Sequence, residues 1–206
     1  MKKYRNLILS PHIDDEVLGC YTYLGPDSFV MYFGVENREN VSSEERLKEL
    51  KKSVEKKKFG WQIENFPVND YQGNQLITPL ENCINIIRPD TILVPHPSYN
   101  QDHRAVYEAA MVALRPHDRN FFVRRVLVYE QPHTYLWPMN SFEPNFFVEL
   151  DIEGKIALYE LYNSQVRSHR SASLLRALAE LRGNQSGKAY AEAYFCKRFI
   201  FDRYDG

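Results

Sequence analysis

The sequence predicts an α/β fold, a mostly parallel sheet with helices on both faces, and three observations predict it. Short apolar runs of strand length recur along the chain, such as Thr91-Ile92-Leu93-Val94 between two prolines. Longer segments with helical patterning stand between them, and this alternation is the pattern of βαβ units. Parallel strands buried on both faces read as continuous apolar runs of this kind. Finally, residues with metal-binding chemistry fall just after two of the runs, where a strand hands over to a helix. In open α/β sheets that is the edge where ligands collect.

The elements follow in order. Tyr4 to Ser10 is expected as a buried first strand and Phe29 to Phe33 as a second. Ser42 or Ser43 caps a helix with Glu45 and Arg46 in its first turn, running to about Phe59 and ending at Gly60. Trp61 to Val68 reads as a third strand. Thr78-Pro79 supplies a cap and a proline at the first helical position, and that helix stops before Pro89. Thr91 to Val94 is the next strand, followed by a polar loop from His96 to Asn100. A helix then runs through Arg115 to Pro116, and Val126 to Tyr129 and Phe146 to Leu150 are further strands. From Ile152 onward the chain reads as helical, with breaks near Gly183 and Gly187. A helical C-terminal extension packed on the same core is therefore expected. No stretch reads as a linker, so residues 1–206 are expected to form a single domain.

Composition narrows the function classes. A formal net charge of −1 provides no basic field for nucleic acid or an anionic membrane. The lysines at 51, 52 and 56–58 interleave with Glu44, Glu45, Glu49 and Glu55, which describes a solvated helix face. Cys20, Cys83 and Cys196 are far apart and form no CxxC pair, so reduced thiols in a cytoplasmic protein are expected. Met1-Lys2-Lys3 hints at a signal n-region, but the apolar run after Asn6 ends at Ser10. That is too short for a signal h-region or a membrane span.

The chemistry lies in two segments. Pro11-His12-Ile13-Asp14-Asp15-Glu16 follows the first strand. A metal hydrolase needs three protein ligands and one open position. His12 and Asp15 can supply two of the three, and a second carboxylate beside them could serve as a base. The third ligand should come from the end of another strand in the same sheet. The stretch from Val94 to His103 fits, because it leaves a buried strand and puts His103 near the first turn of a helix.

These two motifs, Pro-His-x-Asp-Asp-Glu and, after a later strand, Asn100-Gln101-Asp102-His103-Arg104, resemble those of the PIG-L/LmbE-like family of metal-dependent N-deacetylases. The third position of the first motif is Ile13, where proline is commoner in the family. The Arg46-to-Glu49 stretch before Gly60 resembles the family's Arg-x-x-Glu helix. Pro144 to Val148, Arg182-Gly183 and Ala191 to Tyr194 resemble its C-terminal stretches. The resemblance covers most of the chain and implies a Rossmann-like, LmbE-like architecture. It implies His12, Asp15 and His103 as ligands of one Zn2+ or another divalent metal, and Asp14 as general base. Glu16 would support the motif. Arg46 becomes a candidate for substrate contact, with a surface ion pair to Glu49 or Glu45 as its ordinary alternative. The implied reaction removes acetyl from an N-acetylated amino sugar or glycoconjugate.

One departure stands out. Many members read His-x-Asp-His in the second motif, and here the first of these positions is Asn100. An amide can donate a hydrogen bond to an oxyanion but cannot deliver a proton at ordinary pH. The acid must then be Asp14 or another group, for which His96 and His133, loop histidines that could line the site, are the candidates, and Asp102 is a candidate for orienting a neighbour. Tyr135 and Trp137 are candidates for an aromatic wall against a sugar ring. Two other readings remain open. Two histidines and a carboxylate also match the ligand set of non-haem iron oxygenases. Alternatively, a non-catalytic sugar-binding protein could have kept the metal site.

Overall fold

The computed structural model describes residues 4–116, 119–137, 139 and 141–201. The reading of Met1-Lys2-Lys3 and the last five residues lie outside them. The strands are β1 (Asn6–Ser10), β2 (Ser28–Tyr32), β3 (Gly60–Ile63), β4 (Thr91–Pro95), β5 (Arg125–Tyr129), β6 (Phe146–Glu149) and β7 (Ala191–Phe199). The helices are α1 (Asp15–Cys20), α2 (Ser43–Lys57), α3 (Gly73–Ile87), α4 (Gln101–Ala113), α5 (Ile152–Tyr159) and α6 (Ala172–Ser186). The strands form one sheet in the order β3-β2-β1-β4-β5-β7-β6. β1 to β5 pair in parallel, and β7 runs antiparallel between β5 and β6.

Side chains alternate between the faces of each strand, and that alternation builds two cores. Ile8, Val30, Tyr32, Leu93 and Tyr129 join the layer covered by α1, α2, α5 and α6. Leu7, Leu9, Met31, Ile92 and Val94 join the layer beneath α3 and α4. The chain winds from β1 outward to β2 and β3, then crosses back to β4 and β5. The sheet therefore reverses its winding between β1 and β4, and that reversal opens a crevice at their carboxyl ends.

Local chemistry explains the well-read elements. Ser42 accepts a hydrogen bond from the Glu45 backbone N–H at 3.2 Å, acids fill the first turn of α2, and Lys56 and Lys57 fill its last. Lys58, left-handed at φ 64°, ends α2, so Gly60 begins β3 instead of ending the helix, and a Cβ there would meet the Tyr4 hydroxyl and the Phe29 ring.

Four further expectations are corrected. α3 starts at Gly73, so Pro79 lies inside it. Leu76, Leu80, Cys83 and Ile84 form one buried stripe, and burying it offsets the missing proline hydrogen bond. β3 ends at Ile63, well before Val68. Beyond it Glu64 and Phe66 still donate to the Tyr32 and Phe33 carbonyls, but the chain peels away before Pro67, which has no N–H to give. α6 runs through Gly183, and only Gly187, at φ 69°, ends it. Finally, the tail is not wholly helical. Ala191-Glu192-Ala193 are helix formers, yet they start β7, because unpaired edges of β5 and β6 are there to be filled. No helix among the described residues is long and apolar enough to cross a membrane. All three cysteines are free, with Cys20 and Cys83 buried.

Candidate metal centre

The first motif occupies the turn from β1 into α1, and its backbone is fastened from several directions. The Tyr71 hydroxyl donates to the Pro11 carbonyl at 2.8 Å, and Ser10 Oγ donates to the His12 carbonyl at 2.7 Å. Arg46 donates to the Ile13 carbonyl. Glu16 accepts the Asp14 backbone N–H at 3.0 Å and the Tyr162 hydroxyl at 2.6 Å. Held this way, Asp14 adopts φ 119°, ψ −22°, a left-handed conformation costly for a residue with a Cβ. Strain of this kind persists only where the surroundings over-determine it, and here it sets the Asp14 carboxylate against Arg170 and Arg46.

His12, Asp15 and His103 converge there. Each offers one ligand atom, and these atoms all lie within 4.8 Å of one another. Asp15 Oδ2 is 3.4 Å from His12 Nδ1 and 3.3 Å from His103 Nε2. His12 Nε2 donates to Asp102 Oδ2 at 2.9 Å, leaving Nδ1 to face the cluster. Asp102 is itself fixed by the Asn69 N–H at 2.7 Å and the Tyr71 N–H at 3.4 Å. The arrangement favours positive charge. Burial alone would lower the His12 pKa, but hydrogen bonds to Asp102 and Asp15 outweigh it and raise it to about 10. A carboxylate flanked by two imidazoles, one backed by a second carboxylate, suits a divalent cation. Replacing Asp102 by Asn is expected to weaken metal binding by roughly 10- to 100-fold. Titration calorimetry with Zn2+ measures this, and unchanged affinity would remove Asp102 from the site.

Asp14 stands beside the ligands without joining them. Its Oδ2 accepts from Arg170 at 2.9 Å, and Arg46 lies 3.6 Å from Oδ1. Burial pushes the carboxyl up, Arg170 and Arg46 oppose the rise, and it settles at about 6. Arg170 belongs to a short 3-10 turn before α6. Sequence reasoning missed it, because nothing in the run Ser168-His169-Arg170 signals its partner.

The remaining candidates divide. Arg46 is 1% exposed and directed at Ile13, Glu49 at 2.8 Å and Ser164 at 3.2 Å. The expectation of substrate contact is corrected, since its side chain is enclosed beneath the motif; the alternative, an ion pair with Glu49, does form, but buried instead of at the surface. The Asn100 side-chain oxygen caps α4 by accepting the Asp102 N–H at 2.9 Å. The His96 ring sits edge-on against Phe142, 5.2 Å between centroids, and lines a separate cavity with Tyr107, Val128 and Phe195. The structure does not bring it to the metal cluster. His133 does come to it, with its ring 5.1 Å from that of His103. Tyr135 and Trp137 are 45% and 72% exposed, and the Tyr135 hydroxyl is held by Glu130.

No protein-family model matches the chain, and no curated protein sequence matches it. Solved structures share the fold. A conserved protein from Thermus thermophilus superposes with a TM-score of 0.80 at 21% identity, covering 98% of this chain and 99% of its own. An N,N'-diacetylchitobiose deacetylase from Pyrococcus horikoshii does so at 0.72 and 19%, covering 96% and 84%. A 4-carboxy-2-hydroxymuconate hydratase from Pseudomonas putida does so at 0.71 and 16%, covering 100% and 99%. Deacetylases of teicoplanin biosynthesis share the fold as well, one in a zinc-inhibited form. At these identities the likeness establishes the α/β fold and leaves the reaction to the chemistry of the site.

Proposed function

We propose that this protein is a metal-dependent hydrolase that removes the acetyl group from an N-acetylated amino sugar or glycoconjugate. One observation carries the reading: His12, Asp15 and His103 converge at the point where the sheet reverses its winding, with the non-ligand Asp14 beside them. That several structures of the same fold are deacetylases supports it. When bound, a divalent cation such as Zn2+ supplies Lewis acidity toward the acyl oxygen and lowers the pKa of a coordinated water.

The protein's own residues do the rest. Asp14 takes a proton from the attacking water and returns it to the departing amine, so that water and amide become acetate and an amino sugar. One carboxylate can serve in both steps. Arg170 and Arg46 hold Asp14 in place. Asp102 sets the tautomer of His12. The parallel sheet argues against the barrel-type iron oxygenases, whose ligand set is similar.

The test is acetate release from a panel of N-acetylated monosaccharides, nucleotide sugars and glycosides. A chelator is expected to abolish release, and adding Zn2+ to restore it. Chelator-resistant turnover, or iron-bound protein whose turnover needs dioxygen, would overturn the reading. Hydration of an unsaturated acid without acetate release would place the protein with its hydratase structural neighbour instead.

A further inference from the structure

Resting on the deacetylase reading, we propose that His133 is a catalytic residue that donates its Nδ1–H to the substrate's acyl oxygen, and that Ser98 is the positioning residue that fixes this tautomer. The second motif has Asn100 where a histidine would stand, and the Asn100 side-chain oxygen is committed to capping α4. The Asn100 NH2 is one donor available for charge developing on the acyl oxygen, and an imidazole beside the ligands supplies another. His133 is the imidazole in ring contact with the cluster beyond the two proposed ligands, among the described residues. Its ring stands at 85° to His103, 5.1 Å between centroids, and Tyr99 flanks it at 5.3 Å. His103 Nδ1 has no hydrogen-bond partner among the described residues, so ring contacts with His12 and His133 orient that ligand.

In this proposal Ser98 sets which nitrogen of His133 carries the proton. Its hydroxyl is buried, accepts the Asn100 backbone N–H at 3.2 Å and lies 2.9 Å from His133 Nε2. The hydroxyl has one proton to give and a second lone pair to accept with, so the 2.9 Å contact fits either tautomer; in the proposed arrangement the hydroxyl donates to Nε2 and the proton of the neutral ring resides on Nδ1. The loop that would hold the missing motif histidine thus positions a substitute from the segment after β5. Hydrogen-bond donors aimed at a developing oxyanion act strongly in a site closed to water.

The test has two arms. Two-bond nitrogen–proton correlation spectra of the Zn2+-loaded protein should show His133 protonated at Nδ1, with the preference lost in Ser98→Ala and kept in Ser98→Thr. Protonation at Nε2 in the parent protein overturns the proposal. In acetate-release kinetics, His133→Leu should lower kcat by roughly 100- to 1000-fold, the usual cost of an oxyanion donor, with little change in KM. His133→Asn, close to leucine in shape but carrying an N–H, should recover at least part of that loss. If the Leu and Asn variants fall equally, or neither falls, the donor role is overturned while the deacetylase reading survives. If the parent protein releases no acetate from any substrate, that reading fails, and the catalytic half of this inference fails with it.

Discussion

Exchanging Asp14 for asparagine is expected to lower kcat for amide hydrolysis by about a hundred- to ten-thousand-fold, the range associated with a positioned general base. Bound metal should be unchanged, because Asp14 is not among the three residues whose ligand atoms converge. Asparagine keeps the shape and one acceptor oxygen for the Arg170 contact at 2.9 Å, while its NH2 takes the place of the oxygen that lies 3.6 Å from Arg46. The substitution removes the charge and the basicity and weakens the Arg46 contact. Neither Arg170 nor Arg46 can take over, since a guanidinium does not lose its proton in this range. Acetate release and metal content, measured on the same preparations, check the result. Retention of more than a tenth of the parent kcat with full metal occupancy would mean that the proton is handled elsewhere.

The second large effect falls on stability, at the end of α1 opposite Asp15. Lys155 of α5 and Glu192 of β7 form a 2.7 Å ion pair with side chains only 8% and 5% exposed. Lys155 also donates to the Leu18 carbonyl at 2.7 Å. Glu192 accepts from the Tyr21 N–H at 3.1 Å, the Thr22 N–H at 2.8 Å and the Thr22 hydroxyl at 2.7 Å. Glu192→Ala strands a buried ammonium and orphans these donors, and should cost about 3–5 kcal/mol. Denaturant unfolding should show it as a lower midpoint, and Glu192→Ala with Lys155→Met should be milder than the single change. A double variant as unstable as the single one would show that the loss comes from packing rather than from the stranded charge.

The same pair sets a pH dependence. Burial pushes the Glu192 carboxyl up, but Lys155 and the Thr22 donors outweigh it and hold it below its ordinary value of 4.5. The folded carboxyl therefore keeps its charge to lower pH than the unfolded one. Its contribution is complete above 4.5 and is lost as pH falls below it toward the folded value. The parent protein should lose more stability on acidification through this window than Glu192→Gln. Parallel losses would contradict the assignment.

Much of the site was legible because its residues lie at element boundaries, which leave local signals. His12 and Asp15 follow the end of β1 closely, and His103 stands in the first turn of α4, across a short loop from the end of β4; strand ends announce themselves by apolar runs bounded by proline and polar residues. Asp102 was legible for the same reason, being next to His103 in the motif. Arg170 was not, because its partner Asp14 lies 156 positions away. Arg46 looked like a surface residue of a lysine- and glutamate-rich helix, and only the docking of α2 over the motif buries it.

By itself the sequence determined the alternation of strand and helix, the two turns that carry the candidate ligands, and the chemistry those residue types allow. Periodicity, caps and prolines are local, and they survive without knowledge of the rest of the chain. The tertiary structure alone decided that β1 and β4 lie side by side, which brings His12 and Asp15 to His103. It also drew Ala191–Phe199 into the sheet and carried α3 through Pro79. In each case burial and strand pairing, summed over partners distant in sequence, outweighed a local preference of about 1–3 kcal/mol.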